Sequence, residues 1–362
     1  MENKPKPELR EVASAAIRDR WSSYPSAGLT PRRLTSILRD ADAGNLVRQM
    51  ELFTEMEEKD AHLFSCLQTR KLAVSGLPWT IEGNTATTDF VNEALDGLDN
   101  FEEALMDLMD ALGKGFSVSE IIWGAGRGRV TAKTLTKRPQ KKFRFATEDG
   151  LSISPRLVTE DEPINGVPLV DDKFIVHMYR AGADLPERGG LLRVLSWMYL
   201  FKNYAFKDWV TFCEVFGMPL RLGIYSPNAT KEDREALINA VTNLGSDAAG
   251  IISESTKIEF VEAAGKGGAS PYRDLVELIN KEMSKAVLGQ TLTSDVGGNG
   301  SYAAGMVHQV VRDDIMRADA RALERTINRG LVRPLVMFNF GGSVKPPKFR
   351  FVLDREQTKE KK

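Results

Sequence analysis

The stretch between Gly189 and Gly330 constrains the fold more than any other part of the sequence. It reads as a long helix, a small compact module, a second helix, a glycine-rich loop and a third long helix. Helices that frame an inserted module are typical of a mechanical part of an assembly and not of an active site. The layout therefore directs the search for function toward surfaces that pack and move.

The first long helix is predicted at 191–216, because apolar residues recur there at spacings of three and four. Apolar side chains also occupy its other faces, which is typical of a helix buried on several sides. Charged residues interrupt it too often for a membrane span, which needs about 20 consecutive apolar residues. The pattern favours the central helix of a globular core, and a helix packed against neighbouring subunits is the second interpretation.

The module that follows, 217–264, combines strands with one helix. Segment 219–225 alternates like a strand, and Thr230 with an acid three residues later is a capping-box start for a helix. Segments 249–253 and 257–263 predict two further short strands. A unit of this size cannot bury much core alone, so we expect it to pack on its own copies or on another protein.

The second helix, predicted at 271–288, is amphipathic. The loop 289–301 is rich in glycine, which allows a mobile or unusually tight backbone. A third helix at 302–328 would span roughly 40 Å at about 1.5 Å per residue. We expect Gly330 and Pro334 to end it. The apolar side of the second helix is predicted to contain Leu275, Leu278, Ile279, Met283 and Val287.

Composition predicts an ordinary intracellular chain. Its 362 residues suggest two or three domains with a substantial core. Cys66 and Cys213 lie far apart, which favours a reducing compartment over a disulfide framework. The first residues contain no apolar segment of the kind a secretory signal needs. We expect the chain to be neither secreted nor inserted in a membrane.

A net charge of −1 conceals two oppositely charged segments. Acids crowd into 82–110, where no lysine or arginine occurs, and bases crowd into 127–144, where no acid occurs. One interpretation is a solvated acidic helix pair beside a basic hairpin. The other is a pair of complementary surfaces that meet head-to-tail between subunits of a ring. The subunit-interface residues on this second interpretation are Glu102, Glu103, Asp107, Arg138, Lys141 and Lys142.

The rest of the N-terminal half is predicted to be α/β. Residues 1–28 are polar and punctuated by proline, as in a loose arm. Thr30 and Pro31 are typical of a helix start, and 89–112 is predicted as one helix. The predicted meander consists of strands 115–123, 129–136 and 142–146 with a glycine turn at 124–128, and further strands are expected at 79–82 and 172–180.

Motifs for catalysis are missing from the sequence. The histidines lie on separate predicted elements and lack the spacing of a zinc site. The sequence also contains no glycine-rich phosphate-binding loop of the GxxxxGK(S/T) type. Asp313 and Asp314 are neighbours on a helix, where side chains point about 100° apart and would not readily share one metal. Asp171 and Asp172 are likewise adjacent. The glycine loop could cradle a phosphate, yet we predict no enzyme activity, no metal and no cofactor.

Three segments carry a family resemblance: 60–81, 189–223 and 298–341. They resemble the portal proteins of tailed bacteriophages, specifically those of the Mu-like prophage class. The similarity covers roughly residues 20 to 345 and consists of long patterned segments instead of a catalytic signature. It therefore points strongly to a family and weakly to individual residues.

The resemblance implies an α+β, ring-forming portal fold with long stem helices, an inserted small α/β clip module, an α/β wing and a glycine-rich tunnel loop. The implied parts are a flexible N-terminal arm (1–28), the wing (29–188), a stem helix (189–216), the clip (217–264), a second stem helix (265–288), the tunnel loop (289–301), a long wing helix with its return (302–345) and a short C-terminal tail (346–362). We expect the helical crown of many portals to be reduced or absent.

The implied function is a ring, usually of twelve subunits, at one capsid vertex, through which double-stranded DNA is packaged and ejected without sequence specificity. Implied partners are the terminase large subunit, the head–tail adaptor and a major capsid or scaffold protein, with no membrane. The location is the virion, after assembly in the host bacterial cytoplasm. The clip residues expected to dock partners are Tyr225, Asn228, Lys231, Asp233 and Arg234.

The same resemblance places the loop and the polar side of the second helix along the DNA channel. A polar face is the natural lining of a water-filled bore, with Leu278, Ile279 and Met283 packing outward. The alternative is a loop that joins two helices on an outer surface. The channel residues expected are Thr293, Ser294, Asp295, Asn299, Ser301, Glu277, Lys281 and Lys285.

Two other functions stay open from the sequence. One is an enzyme that acts on phage nucleic acid through the Asp313–Asp314 region or the glycine loop. The other is a different head-completion or scaffold-type ring protein. Nuclease or ATPase activity would distinguish the first, and the subunit count with an axial channel the second.

Overall fold

The protein is described by a computed structural model in which the chain forms two compact units. The large unit contains residues 1–200 and 280–362, and the small unit contains residues 201–279. The structure describes residues 5–13, 24–126, 128–147, 153–179, 185–216, 221–243, 249–255, 270–290 and 302–353.

Helices and strands are both abundant, as the predicted α+β class requires. The helices are α1 (Pro31–Asp42), α2 (Val47–Lys59), α3 (Ala61–Ser75), α4 (Thr85–Asp96), α5 (Phe101–Leu108), α6 (Ala111–Lys114), α7 (Leu191–Phe216), α8 (Lys231–Asn243), α9 (Ser270–Leu288), α10 (Tyr302–Ile327) and α11 (Arg333–Phe340). The strands are β1 (Trp79–Glu82), β2 (Phe116–Gly126), β3 (Arg129–Arg138), β4 (Phe143–Thr147), β5 (Ile153–Leu157), β6 (Val167–Pro168), β7 (Phe174–Met178), β8 (Arg221–Tyr225), β9 (Ala249–Ser253) and β10 (Lys348–Phe351).

Helix starts follow the local sequence closely. Thr30 caps α1 by accepting a hydrogen bond from the Arg33 N–H, and Pro31 occupies the first helical position, as predicted. Asp60 caps α3 in the same way through the N–H groups of His62 and Leu63. Each of these caps involves residues at most three positions apart, so it can be predicted from the sequence alone.

The acidic segment is three helices and not the single helix predicted over 89–112. Gly97 ends α4, where its N–H bonds to the Glu93 carbonyl, and α5 starts four residues later at Phe101. Gly115 ends α6 at φ +91°, and a Cβ there would lie 2.0 Å from the Pro186 carbonyl oxygen. Only glycine tolerates this close approach of two backbones.

The predicted meander is also wrong in its last strand. β2 pairs antiparallel with β3 as expected, but its other neighbour is β7, in the order β3-β2-β7. β4 belongs instead to a second sheet in the order β4-β5-β6. Pro139 and a 3-10 turn at Gln140–Lys142 separate β3 from β4. Because proline has no N–H to donate, it ends the first ladder and redirects the chain.

The core of the large unit lies where helices meet the small sheets. β1 pairs antiparallel with β10, which is the last strand described, so an N-terminal strand and a C-terminal strand share one small sheet. Trp79 and Phe101 both contact Phe349, at ring-centroid distances of 5.6 and 5.8 Å. The same cluster contains buried side chains of α5, β2 and α10. Segments distant in sequence therefore share one core.

The third long helix does not end at Gly330 and Pro334, as the sequence suggested. α10 runs into a π turn at Asn328–Val332, and α11 continues from it to Phe340. Pro334 lies in the first turn of α11, where a missing N–H costs little. Gly330 lies against Ile175, close enough that a Cβ would meet its Cγ2 at 3.2 Å. The glycine here serves close packing and does not terminate the helix.

The described part of the predicted loose arm is held on the large unit. The buried carboxylate of Glu120 accepts hydrogen bonds from the Val12 N–H (2.6 Å) and the Ala13 N–H (2.9 Å). Lys173 donates to the Glu8 carbonyl at 3.0 Å. The prediction of a flexible arm is therefore wrong for residues 8–13, because a buried acid supplies partners for their backbone.

The small unit contains a βαβ arrangement. β8 and β9 pair in parallel, and α8 connects them. α8 packs on the sheet where Gly223 lies against Leu237, Val241 and Ile251. The strand–helix–strand order predicted for this module is confirmed over β8, α8 and β9. The further strand predicted at 257–263 lies outside the described residues.

Candidate subunit and nucleic-acid surfaces

The long helix α7 changes character along its length. In its first turns Leu192, Leu195 and Leu200 are at most 1% exposed, although Val194 beside them is 65% exposed. Further along, Phe206 is 42% and Val210 55% exposed. A central core helix, the interpretation that the sequence favoured, would be buried along its whole length. The second half of α7 instead presents apolar area of the kind that marks protein–protein contact.

The predicted channel residues of α9 lie on its exposed side. Glu277, Lys281 and Lys285 are all exposed. Glu277 lies 3.6 Å from Arg273 and Lys285 lies 2.6 Å from Glu282, so two of the three are paired along the helix. These contacts agree with a polar helix face, and its place along a channel stays a prediction.

The apolar side of α9 is shifted from the predicted one. Val276, Ile279, Met283 and Val287 are buried, whereas Leu278 is 55% exposed. Leu275 is exposed too, so the face predicted from Leu275 and Leu278 is wrong by part of a turn.

The segment predicted as a tunnel loop begins with a tight glycine. Gly289 adopts φ +71°, and a Cβ there would lie 2.7 Å from Ile315 of α10. The remaining predicted channel residues lie outside the described part of the chain; they are Thr293, Ser294, Asp295, Asn299 and Ser301.

The predicted clip residues lie together at the start of α8. The Arg234 guanidinium lies over the Tyr225 ring, 4.7 Å from its centroid. Asp233 and Thr230 form the predicted capping box, and the hydrogen bonds from Thr230 lower the pKa of the Asp233 carboxyl. Asn228 and Lys231 are exposed beside them. The structure thus groups these residues on one exposed end of the small unit.

The predicted charge pairing between subunits is wrong for Arg138. This side chain is only 2% exposed, and its guanidinium bonds to Glu120 (2.7 Å) and to Glu11 within the same chain. Lys141 pairs with Glu51 at 3.2 Å, and Lys142 is half-buried. The basic segment satisfies much of its charge internally, because folding brings distant carboxylates to it.

The three acids predicted at the subunit interface have two different environments. Asp107 lies 3.5 Å from Lys137 of the same chain; burial raises the pKa of Asp107 against the attraction of this lysine. Glu102 and Glu103 are exposed in the first turn of α5. Only the last two stay candidates for contact with another chain.

A buried charge cluster, missed at the level of sequence, joins α2, α3 and α6. Asp110 lies 2.7 Å from Lys71 and 2.8 Å from Lys114, and Glu57 lies 3.1 Å from Lys71. Burial opposes ionisation of Asp110, but the two lysines outweigh it and hold the pKa of Asp110 well below its usual range. Burial likewise opposes the charge on Lys114, and Asp110 reverses that and raises its pKa. The cluster pairs two acids with two lysines and so ties α2, α3 and α6 together.

A second buried pair ties α3 to α10. The Arg70 guanidinium donates to both oxygens of Asp319, at 2.8 and 3.1 Å, and also to the Val287 carbonyl at 2.7 Å. This bidentate geometry is the strong form of an arginine–carboxylate contact. Arg70 thereby orients the end of α9, from which the predicted tunnel loop begins.

The surface of α10 contains a row of arginines at every fourth position, at 317, 321, 325, 329 and 333 across its junction with α11. Residues four apart lie on the same side of a helix. This spacing is visible in the sequence, although the only basic segment predicted from it is 127–144.

The aspartates suggested for catalysis, Asp313 and Asp314, are not grouped with further metal-ligating side chains in the described part of the chain. Asp313 is half-buried and Asp314 exposed, at neighbouring positions of α10. Among the described residues, no three histidine, cysteine, aspartate or glutamate side chains are grouped so that they could hold a metal ion. His177 is buried and hydrogen-bonds to Thr326 at 2.8 Å. Burial, together with the charge of Arg325, lowers the pKa of His177 to about 4.

Over the described ranges, none of the helices combines the length and the apolar character that crossing a membrane demands.

Comparison with known proteins gives this architecture a family. Residues 50–362 match the family model described as the portal protein of Mu bacteriophage. The chain is 36% identical over 345 residues to the portal protein of Escherichia phage Mu, and the aligned region covers 93% of this chain and 66% of that protein. It is also 36% identical over 344 residues to the Mu-like prophage FluMu protein gp29 of Haemophilus influenzae, covering 91% and 65%.

The fold comparison agrees. A chain from the neck of an empty GTA particle, computed with C6 symmetry, matches with a TM-score of 0.53 at 13% identity, over 90% of this chain and 86% of that one. This likeness extends over most of both chains and shows a shared fold. The chain belongs to the Mu bacteriophage portal protein family, as the sequence resemblance predicted, and it spans about two thirds of the length of both curated relatives.

Proposed function

We propose that the chain is a subunit of a homo-oligomeric ring at one vertex of a phage capsid, through which double-stranded DNA is packaged and ejected. On this proposal its role is structural and not enzymatic. Family membership supports the assignment. The observation that carries the ring is the exposed apolar second half of α7, with Val210 55% exposed, because such a surface gains stability when another chain covers it.

A matched pair of substitutions tests the ring. Val210→Asp places a charge on the exposed apolar side of α7, and Thr211→Asp places the same charge on the neighbouring exposed position. We expect end-on electron micrographs to show closed rings with an axial channel for the wild type and for Thr211→Asp, and smaller species for Val210→Asp. Wild-type protein that forms no ring with a channel would overturn the proposal. The number of subunits in the averaged images also separates a portal from another head-completion ring.

We propose further that the module 217–264 is the clip, which docks the terminase large subunit during packaging and the head–tail adaptor afterwards. Support comes from its insertion between α7 and α9 and from the exposed Lys231 and Arg234 beside the half-buried Tyr225. Replacing the module with a short glycine–serine linker should leave a soluble protein that no longer binds either partner. A truncated chain that still completes infectious heads would show that the clip lies elsewhere.

The loop 289–301 is proposed as the constriction of the channel, with Asn299 among its contacts to DNA. Support comes from its position between α9 and α10 and from the exposed polar residues of α9 before it. Cysteine substituted at Asn299 and crosslinked across subunits should block DNA passage while rings stay assembled. Crosslinks that form without affecting packaging or ejection would place the loop outside the channel.

The remaining parts of the proposal concern location. The ring would lie in the virion beside a major capsid or scaffold protein, after assembly in the host bacterial cytoplasm. Copurification of tagged chain with the capsid protein from infected cells, before and after DNA filling, tests this order of assembly.

A further inference from the structure

Arginines line a concave surface of the large unit. Arg317, Arg321 and Arg325 approach it from successive turns of α10, and Arg350 approaches it from β10. The cavity has a volume of about 920 Å³ and also contains Glu82 and Glu324. We call this surface the arginine groove. No part of the proposed channel or clip includes it.

Half of the positive charge in the arginine groove is left uncompensated by the described residues that line it. Arg350 forms ion pairs with both glutamates of the groove, at 2.8 Å from Glu324 and 4.0 Å from Glu82. Arg317, Arg321 and Arg325 form no ion pair with any residue in the described part of the chain. Arg321 and Arg325 are exposed. Four arginines thus face two glutamates, which leaves two formal positive charges.

The same helix shows what a structural arginine looks like. Arg70 meets Asp319 of α10 in a buried, bidentate pair that joins two elements. Arg317, Arg321 and Arg325 have no such partner among the described residues, although α10 also carries Asp313 and Asp314. Exposed charges of one sign that face a concavity attract an oppositely charged ligand. The groove therefore fits a ligand with several negative charges.

Spacing and chemistry favour phosphates. Arginines four residues apart on a helix are separated by a rise of about 6 Å, so neighbouring arginines of the row can contact separate phosphates of one DNA strand. The guanidinium group is planar and donates two parallel hydrogen bonds to a phosphate. The four cations of the groove are all arginines and none is lysine.

We propose that the arginine groove binds the phosphate backbone of double-stranded DNA without reading its bases. This inference rests on the proposed function, which brings DNA to the ring, and it adds a contact outside the channel loop. Exposed contacts of this kind exchange with counterions and let DNA slide along a protein. The groove would guide the duplex and not clamp it.

The salt dependence of DNA binding tests the proposal. Assembled full-length protein is titrated with a short fluorescent duplex of mixed sequence at several KCl concentrations. We expect Arg321→Ala with Arg325→Ala to lower the slope of log affinity against log salt by about 2, since each lost phosphate contact removes about 0.9. The matched control, Arg32→Ala with Arg39→Ala on α1, removes two exposed arginines elsewhere in the large unit. It should leave the slope unchanged.

A conservative variant separates charge from folding. Arg321→Lys with Arg325→Lys keeps both charges and should keep the wild-type slope, which a fold damaged at these exposed positions would not. The proposal is overturned if the alanine and control variants lower the slope equally, or if wild-type protein does not bind the duplex.

Two further outcomes identify the source of any failure. If the alanine variant binds DNA like the wild type but sediments as smaller species, the groove is a contact between copies of the chain and the DNA assignment is wrong. If the alanine variant forms normal rings with unchanged DNA binding, the groove assignment fails while the proposed ring stands. Wild-type protein without rings would overturn the proposed function, and the slope measurement would still decide whether the groove binds DNA.

Discussion

The two compact units differ in where their apolar and charged side chains lie. The large unit buries many side chains of both kinds, with Leu192 and Phe349 fully covered and Asp110 enclosed by lysines, although Ile164 at its surface is 72% exposed. The small unit leaves both kinds exposed, including Val210 and Ile224, which are 55% and 61% exposed. The large unit is therefore stabilised mainly by its own contacts, whereas the small unit presents surface that another molecule can cover.

The helix α7 shows this difference within one continuous element. Its two ends have similar apolar content, and both show helical periodicity. Several leucines of the first end are fully covered by other elements, whereas Phe206 and Val210 of the second end are exposed. An apolar side chain is stabilised when other atoms cover it. The surrounding fold determines whether those atoms belong to the same chain or to another molecule.

The largest expected effect is on the buried charge cluster. Asp110→Ala removes the shared partner of Lys71 and Lys114 and leaves both lysines buried, which costs about 3–5 kcal/mol of unfolding free energy. Urea unfolding followed by tryptophan fluorescence measures the loss. The control Asp96→Ala lies on the exposed side of α4 and should change stability by less than about 0.5 kcal/mol. Equal midpoints for the two variants would contradict a stabilising cluster.

The next prediction compares the two ends of α7. Leu192→Ala opens a cavity in the large unit and should cost about 2–5 kcal/mol. Val210→Ala removes methyl groups that are mostly exposed and should cost less than about 0.5 kcal/mol in the unassembled chain. The same urea experiment on unassembled protein gives both values. A large cost for Val210→Ala would mean that the second half of α7 is covered within its own chain.

Acid should destabilise the large unit through His177. Its folded pKa is about 4, lowered by burial and then by Arg325, whereas an unfolded histidine has a pKa of about 6.5. The resulting stability is fully present above pH ~6.5 and is lost as the pH falls toward 4, because the unfolded state binds the proton first. The difference corresponds to about 3 kcal/mol. Urea midpoints across this window should fall for the wild type.

The control for this prediction is His177→Asn, which should flatten the change with pH. Residues 201–279 contain no histidine, so the small unit has no group of this type that titrates in the window. A wild-type midpoint that is constant between pH 6.5 and 4 would show that His177 is not held neutral by burial.

The smallest effect is expected from the surface pair of the small unit. Glu277→Ala breaks an exposed contact with Arg273, 3.6 Å away, and should cost no more than about 0.5 kcal/mol. Thermal unfolding at low and high salt measures this difference and its screening. If Glu277→Ala destabilises the chain as much as Asp110→Ala does, the contrast between the two units fails.

Local sequence signals predicted much of the secondary structure. The ends of α7, α9 and α10 follow periodicity, and the start of α1 follows its capping residues. Predictions that needed long-range information were the ones that failed. The strand β4 left the expected meander, and the helical backbone continued after α10 through a π turn at Gly330 into α11, because these outcomes depend on which distant segment lies alongside.

The candidate surfaces show the same limit. The charge segments at 82–110 and 127–144 are plain in the sequence, but their partners are not, so Arg138 was assigned to a subunit interface although Glu120 holds it in the interior. The arginine row on α10 was available from its spacing alone. Its importance depends on Arg350, which only the pairing of β1 with β10 brings to the same groove.

The sequence by itself determined the helix-framed layout, the portal family and the caps of individual helices, because periodicity, capping and family resemblance are all written in the order of neighbouring residues. The tertiary structure alone decided which charges are compensated, which half of α7 is covered and where the arginines converge. Those properties depend on distances between residues far apart in the chain, and the free energy of a charge or an apolar side chain is set by what surrounds it after folding.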